Sequence, residues 1–312
     1  MELQLNVLDN GLDFINKCLY ELEDSTDHAP SIKYAVLHLN AGIELIFKAR
    51  LSNDHWAFVF EDLNKAKYDS YIEGDFKSIN LDTALSRLQH ICKISISEQF
   101  ISSIDRLKKT RNRIEHFQIN ENHYQLRAII YDSLSYIVPF INREFPKIYG
   151  NSTFNEISKL LHSQENYLCE RYKRIKNELT SNHSFKIDCP QCNQEHTLDV
   201  DEEICIFCNY GGNLAINDFI YKYADLDKEA GTFTYKEFDS LKYCPFCHNE
   251  SLIISSSEEY CKCLTCKTQF EKEKFLECEY CKQVDILIDE DTGENGEIIE
   301  SGYYCYHCLM GD

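Results

Sequence analysis

Twelve of the sixteen cysteines fall into six Cys-x2-Cys pairs, all in the last 124 residues: Cys189/Cys192, Cys205/Cys208, Cys244/Cys247, Cys263/Cys266, Cys278/Cys281 and Cys305/Cys308. Two thiolates held by such a tight turn point the same way and supply half of a tetrahedral zinc shell; a second pair closes it at about 2.3 Å per Zn–S bond. In chain order the pairs leave twelve, fifteen and twenty-three residues between partners, which reads as three successive zinc ribbons, each a structural Zn2+ site. Six pairs also permit interleaved, cross-braced pairing as in RING-like modules, and spacing alone does not choose between the two. Cys261 sits two residues before Cys263 and competes as a ligand, but the knuckle spacing of Cys263/Cys266 places it outside the shell. With complete four-Cys shells His248 and His307 are not needed; His196 is a substitute ligand for the first ribbon.

A second group of residues lies in the stretch Ser97–Phe117, which includes IDRLKKTRNRIEHF. Its apolar stripe runs Phe100, Ile104, Leu107, Ile114 and Phe117, and the position between Leu107 and Ile114 is Arg111. A guanidinium in an apolar seam is costly unless it is paired or faces an opening. Asn112 and His116 are four apart and project side by side on a helix. Arg111, Asn112 and His116 therefore gather near one helix end. The plainer alternative is a basic helix end with a capping His, favourable to the helix dipole.

The elements that must position these residues are helices first and short strands later. Leu5–Leu22 reads as a helix, and Ile32, Val36, Leu39, Ile43 and Ile46 mark a second one, with Pro30 at its start and Asp27 before it. His55–Tyr71 is irregular, Asp82–Ile91 a short helix, and Ser97–Phe117 and Tyr124–Phe145 longer ones, the last ended by Pro146. Five helices with short connections fit a bundle over residues 1–150. Residues 151–183 read as one long connecting helix carrying the basic cluster Arg171, Lys173, Arg174 and Lys176, either a solvated face or a contact for phosphate or for the acidic tail. Ribbons then occupy 184–212, 242–272 and 273–312, with strand-like runs at Ser251–Ser255 and Val284–Ile288. A spacer at 213–241 has a short helical pattern at Ile216–Tyr223, and Asp289–Glu300 forms an acidic hairpin insert. The fold class is a mainly α N-terminal bundle plus small β zinc-ribbon modules.

Composition sets the outer limits. The 312 residues are 43% apolar and 12% aromatic, as in a globular protein. No eighteen-residue apolar run occurs and MELQLNVLDNGLDF has no basic leader region, so neither a membrane span nor a secretory signal is expected. Paired metal knuckles rather than scattered cysteines point to a reducing, cytoplasmic setting. Cys18, Cys92 and Cys169 read as small core fillers and His38 as a packed or capping residue. The net charge of −20 is unevenly shared. Residues 1–180 hold 22 Lys/Arg against 25 Asp/Glu, whereas 181–312 hold 10 Lys, no Arg and 27 Asp/Glu. Each four-thiolate zinc site adds −2, so this tail is poorly suited to gripping a phosphate backbone. No Gly-rich phosphate loop, Ser-His-Asp ordering or His-Glu-x-x-His occurs, and no nucleotide cofactor is expected.

The first 150 residues resemble the HEPN superfamily, helical bundles whose motif is Arg, a polar residue, three to five further residues, then His. Here that motif is Arg111-Asn112-Arg113-Ile114-Glu115-His116, and YAVLHLNAGIELIFKARL at 34–51 is similar to the second helix of bacterial members. The resemblance implies a metal-independent endoribonuclease that dimerises through the helical domain, with two motifs facing one cleft. By that analogy His116 is general acid or base, Arg111 stabilises the phosphorane, and Asn112 orients His116 or the phosphate. The residue types suit the task, since His titrates near neutrality and Arg offers a fixed fork to phosphate oxygens. Some HEPN toxins carry a Tyr two residues after the His as a modification site; here it is Gln118, so silencing by that route is not expected.

Two functions follow as expectations. One is a ribonuclease with RNA as substrate, in a bacterial stress or anti-phage role, whose acidic tail recruits a protein partner or mimics RNA over the basic stretch Arg106–Arg113. The other is a non-catalytic adaptor, a helical dimer that displays zinc modules.

Overall fold

The computed structural model describes residues 5–25, 28–117, 121–145, 147–181, 185–189, 191–211, 242–244, 246–247, 249–254, 260–271, 275–280, 284–286, 297–299, 302–304 and 308. The chain divides into two units, Met1–Ser181 with Ile206–Tyr210, and Asn182–Cys205 with Gly211–Asp312.

The first unit is helical: α1 (Val7–Asp24), α2 (Ser31–Asp54), α3 (Tyr68–Glu73), α4 (Leu81–His90), α5 (Glu98–His116), α6 (His123–Glu144), α7 (Ser152–His162) and α8 (Glu165–Ser181). Polar caps set several starts. The side chains of Asn6, Asn80, Ser97, Asn122 and Asn151 accept the N–H groups of Asp9, Thr83, Phe100, Tyr124 and Phe154. The stripe expected on α2 is buried as a whole, as are Leu12, Ile15, Leu19 and Leu22 of α1, and the two helices pack against each other. Gly11 meets Ile46 while Gly42 meets Ile15, so the two helices run antiparallel with backbones in close approach. Between α2 and α4 the irregular stretch forms two 3-10 turns, Trp56–Val59 and Leu63–Lys65, followed by α3. Arg87 of α4 holds this stretch by donating from Nη1 to the carbonyls of Phe58 and Phe60 at 2.6 and 2.7 Å. His38 packs beside the Phe14 ring, and burial lowers its pKa, as for a packed residue.

Three expectations change. Residues 152–180 form two helices, not one. At the break Ser163 Oγ donates to the Leu160 carbonyl at 2.7 Å, the Ser163 N–H bonds the same carbonyl, and Gln164 accepts from the Tyr131 hydroxyl. A hydroxyl that bonds local backbone competes with helix continuation. Both helices belong to the bundle rather than bridging out of it, with Phe154, Ile157, Leu161 and Tyr167 fully buried. The basic cluster on α8 is not one solvated face either. Arg171 is buried, and Arg174 pairs with Asp132 while donating to Ser135 Oγ and the Tyr136 hydroxyl at 2.6 and 2.7 Å. Finally, only Cys18 is a core filler, its thiol pushed up by burial. Cys92 is half-buried just after α4, and Cys169 is exposed because the buried face of α8 runs Tyr167, Arg171, Ile175.

The second unit is built from short antiparallel strands. β1 (Lys186–Ile187), β2 (Leu198–Asp199) and β3 (Ile204–Cys205) form one sheet in that order. β4 (Lys242–Tyr243), β5 (Glu250–Ile254), β6 (Tyr260–Cys263) and β7 (Gln269–Glu271) form a four-stranded meander. β8 (Phe275–Glu277) pairs with β9 (Val284–Ile286), and β10 (Glu297–Ile299) with β11 (Gly302–Tyr304). The helical pattern at Ile216–Tyr223 lies outside the described residues, as does most of the insert Asp289–Glu300, whose end contributes β10. Among the described residues no helix is long and apolar enough to cross a membrane.

The close approach of α1 and α2 gives a stability test. A Cβ on Gly42 would lie 2.7 Å from Ile15 Cγ1 and 2.9 Å from the Gly11 carbonyl, a backbone atom that cannot swing away. On Gly11 the nearest atom is the end of the Ile46 side chain at 3.0 Å. Gly42→Ala is expected to destabilise the helical unit by about 1–3 kcal/mol despite the helix propensity gained. Gly11→Ala should cost less, and thermal unfolding followed by helical circular dichroism checks the order.

Candidate functional site

The cysteine pairs gather in chain order in both places where all members are described. Sulfurs of Cys189, Cys192, Cys205 and Cys208 form one group, and those of Cys244, Cys247, Cys263 and Cys266 another, each within 4.8 Å. Four thiolates about 2.3 Å from a central ion lie about 3.8 Å apart. The observed separations are 3.8 Å for Cys192–Cys205, 3.7 Å for Cys244–Cys266 and 3.6 Å for Cys247–Cys263, so the donors fit a tetrahedral cation. Cross-bracing is excluded for these four pairs. Cys261 is buried on β6 outside the group, as its spacing implied, and the His196 N–H donates to Asp188 Oδ1 at 2.9 Å without its residue joining the first group.

One local turn recurs at the knuckles. The N–H of the first cysteine bonds the carbonyl five residues on, from Cys189 to Gln194, Cys244 to Asn249 and Cys263 to Thr268, at 3.1, 2.8 and 3.0 Å. The residue after the second cysteine takes a left-handed backbone at Asn193, Asn209 and Lys267, with φ of 54°, 59° and 61°. Asn tolerates that region better than most side chains. Around the second group the core is made largely of sulfur: Cys244, Cys261 and Cys263 with Leu252, flanked by Cys247, Cys266 and Phe270. For Cys244, burial raises the thiol to about 12, and burial also raises Cys263. Burial acts the same way on Cys247 and Cys266, but there hydrogen bonds outweigh it. Bonds from Asn249 and neighbouring thiols take Cys247 down to about 6, and bonds from Thr268 and neighbouring thiols lower Cys266. Two ion pairs tie the Val200–Glu203 turn to the second meander, Lys262 with Asp201 and Lys267 with Glu203, the latter at 2.7 Å. In the third expected ribbon Cys278 and Cys308 are described, whereas Cys281 and Cys305 lie outside the described residues. There β8 lies beside β11, and β8 leads directly to Cys278.

The segment Ile206–Tyr210, which carries Cys208, is held within the helical unit. Arg171 donates from Nε and Nη2 to the carbonyls of Phe207 and Ile206, and Asn142 donates to that of Cys208. The Phe207 ring is fully buried, its centroid 5.1 Å from Tyr172, 6.0 Å from His162 and 6.2 Å from Tyr167.

At the C-terminal end of α5 the expected trio is only partly gathered. Arg111 Nη1 donates to Asn112 Oδ1 at 3.0 Å and pairs with Glu115 Oε2 at 2.9 Å. His116, with 65% of its side chain exposed, lies 3.9 Å from the same Glu115 oxygen. Among the described residues no hydrogen bond joins His116 directly to Arg111 or Asn112. Nor does Arg111 occupy the apolar seam. The buried face runs Phe100, Ser103, Ile104, Leu107, Thr110, because 3.6 residues per turn carry the seam from Leu107 onto Thr110 and leave Arg111 at its edge. Phe117, counted in the stripe, is 78% exposed. Sequence reasoning missed Glu115, although its place four residues after Arg111 was a visible sign. Three other cations of the basic stretch are paired within the same unit, Arg106 with Asp132, Lys108 with Asp82 and Arg113 with Glu121, while Lys109 is exposed.

These centres predict metal content. Purified protein should carry at least two tightly bound ions per chain, and Cys263→Ser should lower the count by about one while leaving the helical signal intact. Elemental analysis beside circular dichroism checks both. No family model, curated protein or solved structure matches the chain, so the HEPN resemblance rests on its residues alone.

Proposed function

We propose that the chain is a metal-independent, dimeric endoribonuclease of HEPN type whose C-terminal half is a zinc-ribbon module for recruitment or regulation. The observation that supports it most is the juxtaposition at the exposed end of α5: a half-exposed guanidinium on Arg111, Asn112 bonded to it, and His116 open to solvent one residue beyond Glu115. In this reading the 2′-hydroxyl of a ribose attacks the adjacent phosphorus. His116 of one protomer takes the hydroxyl proton, and the partner's His116 returns one to the departing 5′-oxygen. The P–O5′ bond breaks and leaves a 2′,3′-cyclic phosphate and a 5′-hydroxyl. Arg111 stabilises the phosphorane charge, and Asn112 holds the guanidinium in place. Zinc suits all-thiolate shells, and the third shell is Cys278, Cys281, Cys305 and Cys308. A cytoplasmic role in bacterial stress or anti-phage defence fits such chemistry.

A second reading, a non-catalytic adaptor displaying zinc modules, draws on one observation: each of Arg106, Lys108, Arg111 and Arg113 is already paired with a carboxylate. The two readings separate cleanly. With mixed RNA and EDTA, the wild type should cleave to cyclic-phosphate ends and His116→Ala should not; no cleavage by either supports the adaptor. Under the ribonuclease reading a phosphate must displace Glu115 from Arg111. In the inactive His116→Ala background, Glu115→Gln should therefore tighten single-stranded RNA binding. It should also steepen the slope of log K against log salt by about 0.7, one additional phosphate contact. Fluorescence anisotropy across a salt series reads both.

A further inference from the structure

Three of the six knuckles carry an aromatic residue immediately before the second cysteine: Phe207, Phe246 and Tyr280. The spacing is common to all three, but the surroundings differ. Phe207 is fully buried among Tyr167, Tyr172 and His162, and the knuckle carbonyls beside it are taken by the Arg171 guanidinium. Phe246 is 70% exposed and Tyr280 81% exposed. An aromatic side chain left in water forgoes about 1.5–3 kcal/mol of burial, and the Phe246 knuckle, whose two cysteines both belong to the second sulfur group, has little freedom to turn its tip inward.

We propose that Phe246 and Tyr280 are docking anchors for a protein partner that presents a basic helix face lined with aromatic side chains, in the manner in which α8 receives Phe207. Two observations select this occupant. The first is the internal precedent: one knuckle of the same chain seats its aromatic tip between tyrosines while an arginine binds the turn carbonyls. The second is charge. Residues 181–312 hold 27 Asp/Glu against 10 Lys and no Arg, and each thiolate shell adds to that excess. A segment of that net charge draws cationic side chains and repels a phosphate backbone. It repels the equally acidic tail of a second copy as well. Aromatic anchors with arginine partners are the residue types that dominate binding energy in protein interfaces. The inference develops the tail's role as a protein-facing module and stands whether or not α5 cleaves RNA.

The test places a photo-crosslinking phenylalanine analogue at position 246, 280 or, as a control, the exposed Ile72 of α3, in the full-length chain expressed in its native host. A discrete protein adduct at 246 and 280 but not at 72, with its crosslinked segment helical and rich in Lys and Arg, supports the proposal. The purified partner should then bind Phe246→Ser at least about tenfold more weakly than wild type, with the variant's metal content unchanged. Adducts no stronger than at 72, adducts to RNA, to another copy of the chain or to an acidic segment, or equal binding by Phe246→Ser would each overturn it.

Discussion

Four cysteine sulfurs gathered within 4.8 Å of one another, with separations of 3.6–3.8 Å at Cys192–Cys205, Cys244–Cys266 and Cys247–Cys263, concentrate as thiolates a negative charge that only a bound cation makes favourable. The second group shows how the thiols behave on their own account: Cys247 and Cys266 are biased towards ionisation and Cys244 and Cys263 against it. This constraint governs the C-terminal half because little else could. Its strands are two to five residues long, and the core beneath the larger meander is mostly cysteine. Small modules of this kind bury too little apolar surface to fold without a staple. The knuckle hydrogen bonds, the left-handed residues after the second cysteines and the Lys262–Asp201 and Lys267–Glu203 pairs all act around sulfurs already drawn together.

The helical unit has the opposite economy. Its core is conventional and large, and its charges are satisfied at home. Arg50 bridges Asp54 and Glu144, Arg174 is sunk against Asp132, and Arg106, Lys108, Arg111 and Arg113 of α5 each meet a carboxylate. A basic run in the sequence is thus not a basic surface in the fold. On the ribonuclease reading, Arg111 would reach a phosphate only by giving up Glu115.

How much of this was legible beforehand depended on the range of the interaction that decides it. The α2 stripe and the start of α5 at Ser97 were readable because periodicity and caps are local. Ribbon pairing was readable up to its alternative, since Cys-x2-Cys states the chemistry but not the partner; the sulfur groups chose sequential pairing in both described cases. What was not legible came from packing. Thr110 took the seam from Arg111, Ser163 broke an unbroken apolar pattern, and Arg171 left an apparently solvated cluster to hold the backbone of Ile206 and Phe207. Only the Arg171 contacts reach across more than ten residues; the Ser163 bond and the Thr110 seam turn on geometry within one helical turn.

The central claim is that thiolate-only metal shells, paired in chain order, are what the C-terminal half is built on. X-ray absorption at the edge of the bound metal tests it most directly on the purified full-length protein. The account predicts four sulfur neighbours per metal at about 2.3 Å and no nitrogen or oxygen shell. A fit that requires imidazole nitrogen or light-atom scatterers at about 2.0–2.1 Å would contradict it.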